Sequence, residues 1–90
     1  MGIVDRSYGE IIKGLDGAAE SLENLKLNAK RLAMEAEAAE SELGDRVGKK
    51  DIQAIKDLAA AIQEAVKPGI ARIRELKHEM KRQKDRFMEL

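Results

Sequence analysis

The feature that most constrains this chain is a regular spacing of apolar and small residues. From Val4 to Leu43 they recur at alternating intervals of four and three positions, and the same spacing resumes at Ile52 and runs to Leu90. This is the a/d pattern of a heptad repeat, the row along which two α-helices pack. The sequence therefore predicts two long α-helices that face each other along these rows.

The pattern is interrupted once, at residues 44–50, where two glycines lie within five positions. Gly44 follows the last residue of the first row, where a left-handed glycine commonly ends a helix. Gly48 or Asp51 can cap the next helix, and either choice leaves a carboxylate near its positive end. We expect a fold-back turn here, because the two glycines disfavour the alternative of one uninterrupted helix.

The ends of the two helices can be estimated from local signals. Ser7 and Glu10 match the Ser-x-x-Glu capping box, which places the start of the first helix near residue 8. The predicted elements are a first helix over about 8–43 and a second over about 51–88.

Pro68 lies inside the second predicted helix but off its apolar row. Proline costs roughly 3 kcal/mol inside a helix, so we predict a kink on the solvent side. The alternative is a full break at 67–69, which would give three helices. In either case the 90 residues form a single domain, 1–90.

The turn also sets an antiparallel register. Pairing Leu43 with Ile52 places Tyr8, near one end of the chain, opposite Phe87, near the other. These are the only two aromatic residues, and their meeting supports the hairpin. Gln83 is the one polar residue in the second row, and two interpretations stay open: it specifies the register, or it lies where the helix ends fray.

Opposite charges fall side by side in this arrangement. Residues 1–43 carry five basic and nine acidic side chains, a net charge of −4, whereas residues 72–86 carry seven basic and three acidic ones, a net charge of +4. A basic helix could bind nucleic acid or another polyanion. Because acidic residues interleave with it and the chain is neutral overall, an intramolecular partner is the simpler interpretation, and nucleic-acid binding by 72–86 remains the alternative function.

Near the turn the apolar residues extend well beyond the packing rows. A helix that is apolar over so much of its circumference is buried by more than one neighbour. We therefore predict an all-α, coiled-coil-like hairpin that dimerises into a four-helix bundle, as a homodimer or with a similar hairpin. The alternative is a monomeric hairpin with an alanine-rich solvent face. The predicted interface comprises Leu27, Met34, Ala38, Ala54, Leu58, Ala61 and Ala65.

Candidate residues for chemistry are few. There is no cysteine, and His78, the only histidine, falls on the outer face of its helix, without the helical His or Glu spacing of zinc or di-iron sites. The acidic residues 35–42 lack a calcium-binding loop and are expected to be solvated. The turn lacks the spacing and the hydroxyl of a phosphate loop. We predict a non-enzymatic protein without catalytic residues, cofactor, metal or small-molecule substrate.

The N-terminal residues lack the basic and apolar regions of a signal peptide, and no window approaches the roughly 18 apolar residues of a membrane span. We expect a protein that is cytoplasmic or is exported without a cleavable signal, and that does not bind membranes.

A chain of 90 residues that folds back at its midpoint into two helices of about 40 residues resembles the small W-x-G proteins of type VII secretion. The resemblance covers the architecture of the whole chain and implies a four-helix bundle and a role as a secreted substrate, partner or targeting subunit. Arg46-Val47-Gly48 stands where the Trp-x-Gly motif would lie, and the C-terminal Tyr-x-x-x-Asp/Glu export motif is absent. No residue role is carried over from the family.

Overall fold

Two α-helices joined by a short turn make up the fold. In the computed structural model, which describes residues 2–46 and 48–89, helix α1 spans Gly2–Leu43 and helix α2 spans Lys49–Glu89. One turn of 3₁₀ helix, Gly44–Arg46, follows α1, and the described residues include no β-strand. The two helices pack against each other, which confirms the predicted all-α helical hairpin.

The turn uses both of its glycines. Gly44 has a φ of 57°, the left-handed conformation expected at the end of α1. The carbonyl of Gly48 accepts hydrogen bonds from the backbone N–H groups of Asp51 and Ile52, both at 3.1 Å. Gly48 is therefore the N-cap of α2, and Asp51 lies in the first turn, where its carboxylate complements the positive helix end.

Both helices begin earlier than predicted. Helix α1 starts at Gly2 rather than near residue 8, so Ser7 and Glu10 lie inside the helix and do not cap it. The heptad pattern already starts at Val4, and a serine inside a helix costs only about 0.5 kcal/mol relative to alanine. Helix α2 begins at Lys49, two positions before the predicted start.

Helix α2 continues through Pro68, so the three-helix alternative is wrong. Pro68 is exposed, as its position off the packing row predicts. A proline ring that points to solvent leaves the unpaired carbonyl of the preceding turn accessible to water, which limits the cost of the missing backbone hydrogen bond.

Contacts divide the chain into two compact units. The turn unit comprises Glu23–Lys67, and the terminal unit comprises Met1–Leu22 with Pro68–Leu90. Each unit contains a segment of α1 packed on a segment of α2, and each has its own buried residues.

Small side chains dominate the core of the turn unit. The register set by Leu43 and Ile52 pairs Ala29 with Val66 and Ala36 with Ala59, and these four residues are buried, as is Ile52. Ala59 has no exposed surface. Alanines at the packing row allow two helices to approach closely, so the core of this unit depends on a close fit rather than on large side chains.

The terminal unit is held by an aromatic pair and by packing around a glycine. The rings of Tyr8 and Phe87 have centroids 5.8 Å apart, which confirms the predicted register here. A Cβ atom on Gly69 would lie 3.0 Å from Leu22 Cδ1. Ile70 is buried as well, although the heptad pattern assigned the neighbouring Gly69 to the row.

Candidate interaction surface

The predicted interface residues all lie in the turn unit and all are exposed. Leu58 is 55% exposed, Leu27 57% and Met34 70%, although these are among the largest apolar side chains of the unit. The alanines of the set are exposed as well, namely Ala38, Ala54, Ala61 and Ala65. More than half of the surface of these three large side chains is therefore left uncovered by the rest of the chain.

The exposed residues of α1 lie on the side of the helix that faces away from α2. Leu27 and Met34 each precede a buried alanine, Ala29 or Ala36, by two positions, and Ala38 follows Ala36 by two. At about 100° per residue, each therefore points roughly 160° away from the buried row. We refer to Leu27, Met34 and Ala38 as the α1 stripe.

The α1 stripe forms the floor of an open depression of about 580 Å³. The charged side chains that line it between and beside the apolar residues are Lys30, Arg31 and Glu35. Two of the three charges are positive. The sequence-based prediction did not include these charged residues, although their spacing from Leu27 and Met34 places them on the same side of the helix.

The exposed residues of α2 form a second row, the α2 stripe, made of Ala54, Leu58, Ala61 and Ala65. Each lies one or two positions from a buried residue of the packing row, and so points about 100–160° away from it. Asp57 and Glu64, two positions before Ala59 and Val66, border this stripe on one side and are both exposed.

The two acidic residues beside the α2 stripe have partners on their own helix. Gln53 Nε2 donates a hydrogen bond to Asp57 Oδ1 at 2.9 Å. Lys67 Nζ contacts Glu64 Oε1 at 3.0 Å, and both side chains of that pair are mostly exposed. Exposed pairs of this kind contribute only about 0–1 kcal/mol, so they are readily exchanged for other partners.

The structure brings the predicted residues together in two sets rather than in one. The three residues of the α1 stripe line a single depression, and no residue of the α2 stripe takes part in it. The α1 stripe points away from α2, and the α2 stripe points largely away from α1. The turn unit thus presents one apolar stripe on the outer side of each helix.

The basic segment 72–86 is engaged within the chain. Lys77 forms an ion pair with Asp16 of α1, as the charge pattern predicts. Arg72 Nη1 instead contacts Glu75 Oε2 at 2.9 Å on its own helix. Arg82 Nη2 contacts Glu79 Oε2 at 2.7 Å in the same way. Lys77 is thus paired across the two helices, whereas Arg72 and Arg82 are paired within α2.

Another ion pair joins the helices in the turn unit. Lys56 Nζ lies 3.6 Å from Glu40 Oε1, a pair that the charge analysis did not include. A signal for it exists in the sequence, because each of these two residues directly follows a residue of an apolar row, Ile55 or Ala39.

Gln83 has hydrogen-bond partners on both helices. Tyr8 donates its hydroxyl hydrogen to Gln83 Oε1 at 3.3 Å, and Gln83 Nε2 donates to Glu79 Oε1 at 3.2 Å. A polar residue that bonds across the helix pair favours the register interpretation over fraying.

Side chains suited to hold a metal ion are not clustered in the residues that the structure describes. Over 2–46 and 48–89 there is no group of three or more His, Asp or Glu side chains placed to hold a metal ion. His78 is exposed, as predicted. In the same ranges, neither helix has a stretch long and apolar enough to cross a membrane.

Comparison with known proteins identifies no relative. No family model, no curated protein and no solved structure matches this chain.

Proposed function

We propose that the protein is a non-enzymatic assembly module that packs its turn unit against a second helical hairpin and forms a four-helix arrangement at the contact. The observation that carries this proposal is the exposure of Leu27, Met34 and Leu58 in a unit whose buried core is mostly alanine and valine. Large apolar side chains at helical spacing on an outer face are typical of surfaces that contact another protein.

Burial of these three side chains against a partner would stabilise the association. Burying a fully exposed leucine or methionine side chain contributes roughly 1.5–3 kcal/mol. Leu27, Met34 and Leu58 are each more than half exposed, so more than half of each side chain can still be buried by a partner. The alanines around them leave room for a partner helix to approach closely. The contact in the hairpin itself encloses little large apolar surface, so association supplies stability that the monomer lacks.

The occupant that suits such a surface is another long amphipathic hairpin, either a second copy of this chain or a similar protein. The resemblance to W-x-G proteins makes a secretion-associated partner protein one form of this function. The alternative, a polyanion binder, has less support because the chain is neutral overall and Lys77 of the basic segment is paired with Asp16 of the other helix.

The proposal is tested by measuring the molar mass with light scattering across micromolar concentrations. We expect at least twice the chain mass of 10.0 kDa for the wild type. Leu58→Glu should lower this mass, whereas Ala60→Glu, which adds the same charge at an exposed position off the α2 stripe, should not. A protein that stays monomeric alone and that captures no helical partner from its source would contradict the proposal.

A further inference from the structure

We infer that the partner of this hairpin is a second copy of the same chain, and that the α1 stripe of one copy packs on the α2 stripe of the next. The inference rests on the proposed function, because it presumes that the turn unit associates through its outer faces. It adds which surface contacts which, and it follows from the charges that accompany the two stripes.

The centre of the α1 stripe is basic. Lys30 and Arg31 lie between Leu27 and Met34 and line the same depression, and Glu35 is the one acidic residue that lines it. A partner helix that covers Leu27 and Met34 must therefore pass over two positive charges. Binding of a partner helix is favoured if the helix carries carboxylates at the positions that face Lys30 and Arg31.

The α2 stripe carries such carboxylates. Asp57 and Glu64 are exposed at its border, seven positions apart, and the midpoint between them falls at Ala60 and Ala61. The basic pair of α1 likewise falls midway between its two large apolar residues. When the stripes of two copies are centred on each other, Lys30 and Arg31 fall between Asp57 and Glu64 of the second copy. The basic charges of one copy and the acidic charges of the other are then complementary across the contact.

The symmetric alternatives lack this complementarity. If the α2 stripes of two copies packed antiparallel about Ala60 and Ala61, Asp57 of each copy would face Glu64 of the other. If two α1 stripes packed antiparallel about their midpoint, Lys30 of each copy would face Arg31 of the other. Both arrangements bring like charges together at the apolar contact, which disfavours them.

The directions of the stripes add a consequence for assembly. The α1 stripe lies on the far side of α1 from α2, and the α2 stripe points largely away from α1, so one second copy cannot cover both. A pair of copies leaves one α1 stripe and one α2 stripe uncovered. An interface between two different surfaces allows further copies to be added at both ends, so the assembly either grows as an open chain of molecules or closes into a ring of more than two copies. The mean mass should therefore keep rising with concentration beyond that of two chains.

Two single-stripe variants test the inference by sedimentation velocity. Met34→Glu blocks the α1 stripe and Leu58→Glu blocks the α2 stripe, and both positions are more than half exposed. Each variant alone should sediment as a monomer.

An equal mixture of the two variants should form a complex of two chains and no larger species, because each variant retains the surface that the other has lost. Asn28→Glu and Ala60→Glu are the matched controls at exposed positions off the stripes, and neither should abolish association, because neither places a charge within the apolar contact. Circular dichroism checks that the helix content of every variant is unchanged.

Charge exchange gives an independent readout. The double change Asp57→Lys with Glu64→Lys should weaken self-association by about tenfold or more, and adding Lys30→Glu with Arg31→Glu should restore most of the affinity. If one single-stripe variant associates alone and the mixture adds nothing, the contact is symmetric; the inference is then overturned while the proposed function stands. If the wild type is monomeric at every concentration, self-association itself is refuted, and only a different hairpin remains as the partner under the proposed function.

Discussion

Tyr8 of α1 contacts Phe87 of α2, with ring centroids 5.8 Å apart and ring planes inclined by 42°. The same tyrosine donates a hydrogen bond to Gln83, one helical turn before Phe87. One residue of α1 thus contacts two residues on one side of α2 through a ring contact and a polar contact. A shift of one helix along the other would break both contacts, so together they specify the register of the terminal unit.

The two contacts of Tyr8 can be separated by mutation. Tyr8→Phe removes the hydrogen bond to Gln83 and keeps the ring, so we expect a loss of about 0.5–1 kcal/mol in the free energy of unfolding. Tyr8→Ala also removes the ring contact, which should cost at least about 0.5–1.5 kcal/mol more. Urea denaturation followed by circular dichroism measures both. If Tyr8→Phe costs the same in a Gln83→Leu background, the hydrogen bond does not stabilise the fold.

Two glycines in the interior of α1 should be replaceable with a gain in stability. A Cβ atom added at Gly14 or Gly17 would meet no heavy atom within 4 Å. Gly14→Ala and Gly17→Ala should each stabilise the protein by roughly 0.5–1 kcal/mol, because alanine loses less backbone entropy in a helix. Thermal unfolding provides the measurement.

Gly44→Ala serves as the control for these changes. Space is free there too, but the φ of 57° is a conformation that side chains with a Cβ disfavour. We expect it to lose roughly 1 kcal/mol. A similar gain at all three positions would show that the left-handed conformation does not matter to the turn.

The ion pair between Lys77 and Asp16 should contribute to the pairing of the helices in the terminal unit. Lys77→Glu places two carboxylates side by side and should lower the free energy of unfolding by up to about 1 kcal/mol. The exchanged protein, Lys77→Asp with Asp16→Lys, should recover most of this loss. The difference in the free energy of unfolding between the wild type and Lys77→Glu should be smaller in 1 M salt, where the Debye length falls to about 3 Å. An effect that is independent of salt would point to packing of the lysine chain instead.

Much of this fold could be predicted because the heptad spacing and the two turn glycines both indicate two helices joined by a turn at residues 44–50. The position of Gly44, the contact between Tyr8 and Phe87, and the burial of Ala59 all follow from one alignment of the two rows. The start of α1 could not be predicted, because a capping sequence such as Ser7 to Glu10 is also compatible with a helix interior. The burial of Ile70 could not be predicted either, because the regular heptad assigns Gly69 and not Ile70 to the packing row.

The candidate interface was predicted residue by residue, but as one wide face. Its division into two outer stripes depends on how far each helix is rotated about its own axis. In the turn unit the flanking residues Lys56 and Gln63 are half-buried together with the row, whereas Leu58 is not. Such a rotation changes no spacing in the sequence, and so a heptad pattern alone does not determine which flank of each helix faces outward.

The alanine core of the turn unit leads to a final prediction, which compares two alanines two positions apart on α2. Ala59 has no exposed surface, whereas Ala61 lies on the α2 stripe and is exposed. Ala59→Leu adds three carbon atoms where the helices are in contact, and we expect it to cost roughly 1–3 kcal/mol through overpacking.

The same change at Ala61 has space around it and should alter the free energy of unfolding by less than about 0.5 kcal/mol. It also enlarges the apolar stripe, so Ala61→Leu should increase self-association while Ala59→Leu should not. Chemical denaturation at low protein concentration measures the first quantity, and light scattering at high concentration measures the second. If Ala59→Leu is as stable as the wild type, there is room for a leucine side chain between the two helices. The close packing of the turn unit is then refuted.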